Sequence, residues 1–257
     1  MTAYQGGKLR LGRRIHEIIN RIETDLGKEQ LTYMEPFCGM CGVLQHVAKY
    51  NTEREIIASD INCHVIEMWK SLQNGWIPPN TFSREEFDEL KTQTEASAIK
   101  GFTGSVACYG NVFMSFYRLH LVSTGRDFIM EAKRSVLKVY ENVKNSKFSY
   151  GSYEDASPDG KVIYCDPPYI KNGFKTQLFR EFDHETFWET MRTWSHESLV
   201  FISERVAPSD FICVWEHDFK ASINKKKSTC IREKLFIHES WYSQLSPDVK
   251  NSVICID

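Results

Sequence analysis

Long apolar runs are missing from this sequence. No stretch approaches the roughly 20 residues that a membrane-crossing helix needs, and the opening MTAYQGGKLRLGRR lacks the apolar centre of a secretory signal. A cytoplasmic or otherwise intracellular protein, neither secreted nor membrane-bound, is therefore expected. Charge imbalance is missing too. The 32 Lys and Arg residues against 34 Asp and Glu give a net charge of −2. No global field announces a polyanionic partner, so a nucleic-acid surface would have to come from local basic clusters. A disulfide framework is also absent: the eight cysteines are scattered singly apart from Cys38 and Cys41, several inside apolar runs. That is the usage of reduced, buried thiols. Cys38-Gly39-Met40-Cys41 spells C-x-x-C, but no second close pair completes four ligands, so no metal is expected. Repeats, low-complexity segments and coiled-coil heptads are lacking as well.

What remains is a chain of 257 residues, 42% hydrophobic and 26% charged, enough for one α/β core with a modest inserted lobe. Leu9, Ile15, Ile18, Ile19, Ile22 and Leu26 recur at helical spacing and predict an amphipathic helix over 9–26. A short strand over 31–34 runs into a Gly-containing loop. A helix through Val43, Leu44, Val47 and Ala48 follows, then a strand over 54–59 ending on Asp60. Strand, Gly loop, helix, strand and acid in that order open a nucleotide-binding α/β unit.

The alternation breaks between about 71 and 125, where Pro78-Pro79 interrupts the chain and Ser83-Arg84-Glu85-Glu86 forms a capping box. This region reads as an insertion. A helix over 127–143, strands at 148–150 and 162–165, a helix begun by Asp183 and a strand at 199–203 resume the α/β pattern. Two β-rich runs, 211–219 and 233–239, flank the polar segment 222–228 and predict a terminal antiparallel hairpin.

Chemistry concentrates first at Val162-Ile163-Tyr164-Cys165-Asp166-Pro167-Pro168-Tyr169. A buried strand ends on an acid, two prolines and an aromatic, at the carboxyl edge where open α/β sheets bind ligands. The prolines remove two N–H donors and leave carbonyls free. The Asp166 carboxylate and Pro167 carbonyl could both accept from an exocyclic amino group, localising its lone pair, while Tyr169 stacks on the ring. A strand-terminating turn is the plainer alternative for this run alone. The second concentration is Glu35-Pro36-Phe37-Cys38-Gly39-Met40-Cys41-Gly42, between the first strand and a helix, where glycine lets a nucleoside approach the backbone. Asp60 ends the next strand, where an acid bonds ribose hydroxyls in such folds. A structural loop with a capping Asp is the competing account.

Together these segments resemble the Dam-type, DPPY-motif DNA adenine-N6 methyltransferases, with motifs along nearly the whole chain. Tyr4-Gln5-Gly6-Gly7-Lys8 is similar to the family's N-terminal element, Glu35 to Gly39 to its glycine loop, Asp60 to its ribose-binding acid, and Ser152-Tyr153-Glu154-Asp155 to the segment before the catalytic strand. The resemblance implies a Rossmann-like class I methyltransferase sheet of about seven strands, α/β in class, with a terminal antiparallel hairpin. Residues 1–70 and 126–257 would form the catalytic domain, and 71–125 an inserted, mainly helical target-recognition lobe. It further implies S-adenosylmethionine bordered by Tyr4, Lys8, Glu35, Phe37, Gly39, Asp60, Ile61, Tyr153 and Asp166, with S-adenosylhomocysteine as product. Asp166, Pro167, Pro168 and Tyr169 would meet an adenine extruded from double-stranded DNA, by a monomer or homodimer. Met40 and Cys41 stand where the family carries small residues.

Within the insertion, Asn111 and Arg118 suit base or phosphate contact, while Phe113, Phe116, Tyr117 and Leu121 are better read as the lobe's own apolar core. Lys225 and Lys226, at the predicted hairpin tip, are phosphate-contact candidates, with a solvated loop as the plainer reading. Two rival functions stay open. One is methyl transfer to another planar acceptor, namely RNA adenine, a cytosine amino group or protein glutamine. The other is a catalytically silent DNA-binding homologue.

Overall fold

A computed structural model of the chain describes residues 7–106, 108, 112–115, 117, 125, 127–169, 182–224 and 227–253. Among these, strands β1 (Tyr33–Glu35), β2 (Ile56–Asp60), β3 (Lys147–Tyr150), β4 (Val162–Cys165), β5 (Leu199–Glu204), β6 (Phe211–Asn224) and β7 (Lys227–His238) form one sheet in the order β3-β2-β1-β4-β5-β7-β6. The pairs β1/β4, β2/β3 and β4/β5 are parallel, whereas β7 runs antiparallel to both β5 and β6. Successive strands therefore progress outward in one direction from β1 and in the other from β4, which makes the β1/β4 boundary a topological switch point. This is the Rossmann-like α/β fold expected, closing on its antiparallel hairpin. The hairpin is longer than its sequence suggests, because the ladder continues through Ser222↔Ser228 to Asn224↔Lys227. Among the described residues no helix is long and apolar enough to cross a membrane.

The described residues divide into two compact units. The first draws on described residues within 7–13 and 36–156, the second on those within 14–35, 157–169 and 182–253.

In the first unit, helices α2 (Leu44–Tyr50), α3 (Cys63–Gln73), α4 (Arg84–Thr92), α5 (Ala98–Val106) and α6 (Phe128–Val143) accompany β2 and β3. The Asn62 carboxamide oxygen caps α3 by accepting from the His64 and Val65 amides. That helix buries Val65, Ile66, Met68, Trp69 and Leu72, and the Trp69 ring stacks on Phe148 of β3. The Ser83–Glu86 capping box opens α4 as its sequence predicts. Asp127 caps α6, whose buried Ile129, Ala132, Val136, Val139 and Val143 follow the 3.6-residue period.

Helix α5 arises from the segment AIKGFTGSV within the 71–125 insertion. Its glycines serve close packing. A Cβ on Gly101 would fall 2.0 Å from the His64 carbonyl oxygen of α3, and one on Gly104 would meet the Phe113 ring at 2.5 Å. Phe113 also stacks on His64, and Tyr117 sits against Phe82 and Phe87 while its hydroxyl donates to the Phe82 carbonyl. Both aromatics are half-buried in these contacts.

In the second unit, helix α1 (Gly12–Leu26) buries Ile15, Ile18, Ile19 and Ile22, each contributing roughly 2 kcal/mol of apolar transfer free energy. It ends in a Schellman motif. Gly27 adopts φ +64°, the Lys28 amide donates to the Glu23 carbonyl, and the Gly27 amide donates to that of Thr24. Helix α7 (His184–Trp194), capped by Asp183, lays Phe187, Trp188, Met191 and Trp194 into a core where Trp188 meets Phe211 at 4.8 Å between ring centroids. β4 and β5 are buried along their whole length. Helices α8 (Glu239–Gln244) and α9 (Pro247–Val253), unanticipated from the sequence, end the described chain.

Candidate active site

The glycine loop of the first unit is held by several backbone hydrogen bonds. The Cys38 amide donates to the Ser59 carbonyl at 2.9 Å, and the Cys41 amide closes a turn on the Cys38 carbonyl. Gly39, with φ +43°, donates its amide to Asp60 Oδ2 at 2.8 Å and accepts from the Trp69 indole N–H at 2.9 Å. Cys41 is also left-handed, at φ +55°, a conformation that costs a β-carbon residue of order 1 kcal/mol or more. Both Cys38 and Cys41 are buried thiols. Among the described residues no cluster of three or more His, Cys, Asp or Glu could hold a metal ion.

Two motif segments interlock here. A Cβ on Gly42 would lie 2.9 Å from the Lys8 carbonyl carbon, and a Cβ on Gly12 would lie 2.0 Å from the Gly42 carbonyl oxygen. Only glycine permits this approach, and it brings buried Lys8 beside the loop. The Leu11 and Gly12 amides both donate to the Lys8 carbonyl, which holds that turn.

Asp60 receives the Gly39 amide on one carboxylate oxygen and the Asn62 amide, at 2.8 Å, on the other. Burial raises its pKa, while those two amide hydrogen bonds oppose the shift by stabilising the anion. Each oxygen keeps a further acceptor position, as binding a diol requires. Beside it, the Asn62 side-chain N–H2 is buried without a hydrogen-bond partner among the described residues. Phe37, half-buried, stacks on buried Tyr153 with centroids 5.3 Å apart and planes 29° apart. Tyr153 sits in a 3-10 turn held by the reciprocal Ser152–Asp155 capping box. Ile61, next to Asp60, is half exposed. Lys8, Phe37, Gly39, Asp60, Ile61 and Tyr153 thus all belong to the first unit, and their chemistry fits a nucleoside bearing a diol and a flat base.

The second unit carries the acid and the aromatic. β4 leads directly into Asp166-Pro167-Pro168-Tyr169, with Pro167 buried and Asp166, Pro168 and Tyr169 half-buried. The register Tyr33↔Val162 and Met34↔Ile163 puts Glu35 and Asp166 at the carboxyl ends of neighbouring parallel strands, at the switch point. Glu35 is almost fully buried and accepts from the Tyr33 hydroxyl at 2.9 Å. Burial pushes its carboxyl well above the usual range, the Tyr33 hydrogen bond opposes this, and the Asp166 charge adds to it. The Tyr164 hydroxyl shares a 2.8 Å hydrogen bond with Ser203 on β5. The Tyr169 hydroxyl donates to Glu233 Oε2 at 2.7 Å, and the Arg205 guanidinium lies 5.8 Å from the Tyr169 ring centroid.

Four supporting residues were not anticipated from the sequence: Trp69, Ser203, Arg205 and Glu233. Trp69 belongs to no motif in the sequence, and nothing local says that its N–H reaches Gly39. Glu233 does leave a trace, an acid in the alternation that continues through Leu235 and Ile237, both fully buried. Tyr4, Asn111, Arg118, Lys225 and Lys226 lie outside the described residues.

Comparison with known proteins adds a family match over part of the chain. Residues 4–103 match the model of the D12 class N6 adenine-specific DNA methyltransferases, the family that the sequence motifs resemble. Among curated protein sequences none matches the chain. Solved structures similar at low identity include two other methyltransferases. The rRNA methyltransferase aviRa from Streptomyces viridochromogenes is 11% identical, with a TM-score of 0.39 over 89% of this chain and 85% of its own. Magnesium protoporphyrin IX methyltransferase from Synechocystis PCC 6803, with bound S-adenosylmethionine, is 10% identical, with a TM-score of 0.36 over 90% of this chain and 82% of its own.

Proposed function

We propose that this protein, matched over residues 4–103 by the D12 class of N6 adenine-specific DNA methyltransferases, transfers a methyl group from S-adenosylmethionine to the adenine amino group in double-stranded DNA. The observation that carries the reading is Asp166-Pro167-Pro168-Tyr169 at the carboxyl end of β4, beside the β1/β4 switch point. In open α/β sheets that edge is where ligands are held.

In this reading the first unit binds the methyl donor. Asp60 takes the ribose hydroxyls on the acceptor positions its amide hydrogen bonds leave unused. Gly39 and Gly42 keep the loop free of side chains, and Phe37 and Tyr153 offer flat apolar surface to the donor's adenine. Lys8 and Tyr4 border the same ligand. S-adenosylmethionine, when bound, supplies an electrophilic methyl on a positively charged sulfur.

The second unit prepares the nucleophile. An adenine amino nitrogen is poor in that role because its lone pair is delocalised into the ring. The Asp166 carboxylate and the Pro167 carbonyl accept its two N–H groups, and Tyr169 stacks on the base, worth about 1–3 kcal/mol. Hydrogen-bond acceptance at both protons favours a lone pair directed out of the ring plane. Transfer releases the proton of the methylated amino group toward Asp166. Positioning and electrostatics supply the rate. In a duplex the adenine has to leave the base stack first.

Residues 1–70 and 126–257 would serve as the catalytic body and 71–125 as the recognition lobe, with Asn111, Arg118, Lys225 and Lys226 as DNA contacts. The test is incorporation of labelled methyl into unmethylated DNA by the wild type and by Asp166→Ala, with RNA and protein offered in parallel. Label in DNA adenine from the wild type alone supports the reading. Equal incorporation by both proteins removes Asp166 from its role.

A further inference from the structure

The base-stacking face of Tyr169 needs something to hold it, and two residues that no motif contains are in place to do so. The Tyr169 hydroxyl donates to Glu233 Oε2 at 2.7 Å, the short range of a charge-assisted O–H···O⁻ bond. Glu233 lies on β7 opposite His217 of β6 and is buried. An isolated carboxylate is costly at such a site, and its neighbours two and four positions on, Leu235 and Ile237, are fully buried and apolar. An apolar residue would be the cheaper occupant of position 233. Arg205, just after β5, lies over the Tyr169 ring at 5.8 Å, within cation–π range. Its Nε is buried and has no hydrogen-bond partner among the described residues.

From this geometry we infer that Glu233 is a positioning residue that, with Arg205, fixes the Tyr169 ring as a platform for the acceptor base. Glu233 pins the hydroxyl edge and so sets the ring's tilt. Arg205 covers one face, which leaves the opposite face for a planar acceptor. The phenol stays protonated, hence a donor, because burial and the charges of Asp166 and Glu233 raise its pKa well above the ordinary value. Free rotation of the ring would cost orientation of the amino group more than binding of the DNA as a whole. The effect therefore falls on turnover. The inference rests on the reading of Tyr169 as acceptor platform.

The experiment is steady-state methylation of unmethylated plasmid DNA by the full chain and by Glu233→Ala, Glu233→Gln, Tyr169→Phe, Tyr169→Ala and the double variant Tyr169→Phe with Glu233→Ala. Cofactor affinity is measured by calorimetry alongside. Glu233→Ala is expected to lower kcat about tenfold, with KM for DNA and cofactor affinity nearly unchanged, and Glu233→Gln to recover most of that loss. Tyr169→Phe should match Glu233→Ala, and the double variant should be no slower than either, because both remove one hydrogen bond. Wild-type kcat in Glu233→Ala together with a strong loss in Tyr169→Ala overturns the role of Glu233 while sparing the platform. Wild-type kcat in Tyr169→Ala overturns both. Where Glu233→Ala does not fold, the double variant Tyr169→Phe with Glu233→Gln replaces it, and a loss equal to the sum of the two single losses contradicts the inference.

Discussion

The Gly39 amide donates to Asp60 Oδ2 at 2.8 Å, so the loop that follows β1 and the acid that ends β2 hold one another in place. The same carboxylate takes the Asn62 amide on its other oxygen, at 2.8 Å. Asp60 therefore orders the loop and offers the charge that a ribose would meet. Asp60→Ala should weaken S-adenosylmethionine binding at least tenfold, since losing a hydrogen-bonded charge costs about 1.5–3 kcal/mol. Asp60→Asn keeps one acceptor oxygen but turns an N–H2 toward a backbone donor, so it should rescue little. Calorimetric titration with the cofactor measures both, and wild-type affinity in Asp60→Ala would remove it from the site.

Asp166→Ala separates binding from chemistry. Methyl transfer should fall by about 10²–10³-fold, the cost of deleting one preorganised polar group at a reacting centre. Cofactor affinity should change little, because the groups assigned to the ribose and loop lie on other strands. Single-turnover methylation with saturating cofactor reads the first quantity and calorimetry the second. A parallel loss of both would mean that Asp166 serves donor binding instead.

Gly101→Ala sets two known effects against each other. In an exposed helix the change would gain about 1 kcal/mol of propensity. Here the new methyl would sit 2.0 Å from the His64 carbonyl oxygen, a backbone atom that cannot swing aside. Overpacking of this kind costs about 3 kcal/mol, so the net change should be destabilising by about 2 kcal/mol. Urea denaturation reports it, and a stabilised variant would show that α5 does not pack against α3 this closely.

Much of this was legible in the sequence where the local chemistry is self-contained. Ser83 with Glu86, Asp127 and Asp183 announce their helices because a cap is satisfied within three residues. Val162 to Cys165 announces a buried strand by being apolar throughout. Helix α5 was given no bounds within the mainly helical insertion, and only α3 and Phe113 explain why side chains are excluded at Gly101 and Gly104. The far half of the hairpin was hidden because Ser222 to Ser228 looks like a turn, while the backbone ladder needs no apolar side chain to continue. At the candidate site, Asp60, Gly39 and Asp166 are proposed from their spacing in the sequence. Trp69, Arg205 and Glu233 act through contacts 30 to 64 residues away in sequence, which no local pattern encodes.

Stability should carry an acid-sensitive contribution from the second unit. The Arg192 guanidinium grips Asp210 with Nε to Oδ2 at 2.5 Å and Nη2 to Oδ1 at 3.1 Å. That hydrogen bonding holds the Asp210 carboxyl below its usual value, against a smaller opposing effect of burial. A lowered carboxyl pKa stabilises the fold above the unfolded value, near 3.8, and the benefit disappears as pH falls through the folded value. Both side chains are partly exposed, so screening limits the pair to about 1 kcal/mol. Asp210→Asn should lower the unfolding midpoint at pH 7 and converge with the wild type once pH has fallen through the lowered folded value. A gap that persists at low pH would assign the effect to packing.

The most direct test of the central claim is mass spectrometry of nucleosides from duplex DNA and RNA, and of peptides from protein, incubated with the full chain and methyl-labelled S-adenosylmethionine. The account predicts label in N6-methyladenine from the DNA, absent with Asp166→Ala. Label confined to RNA adenine, cytosine or protein glutamine, or none at all from a protein that binds the cofactor, would contradict it.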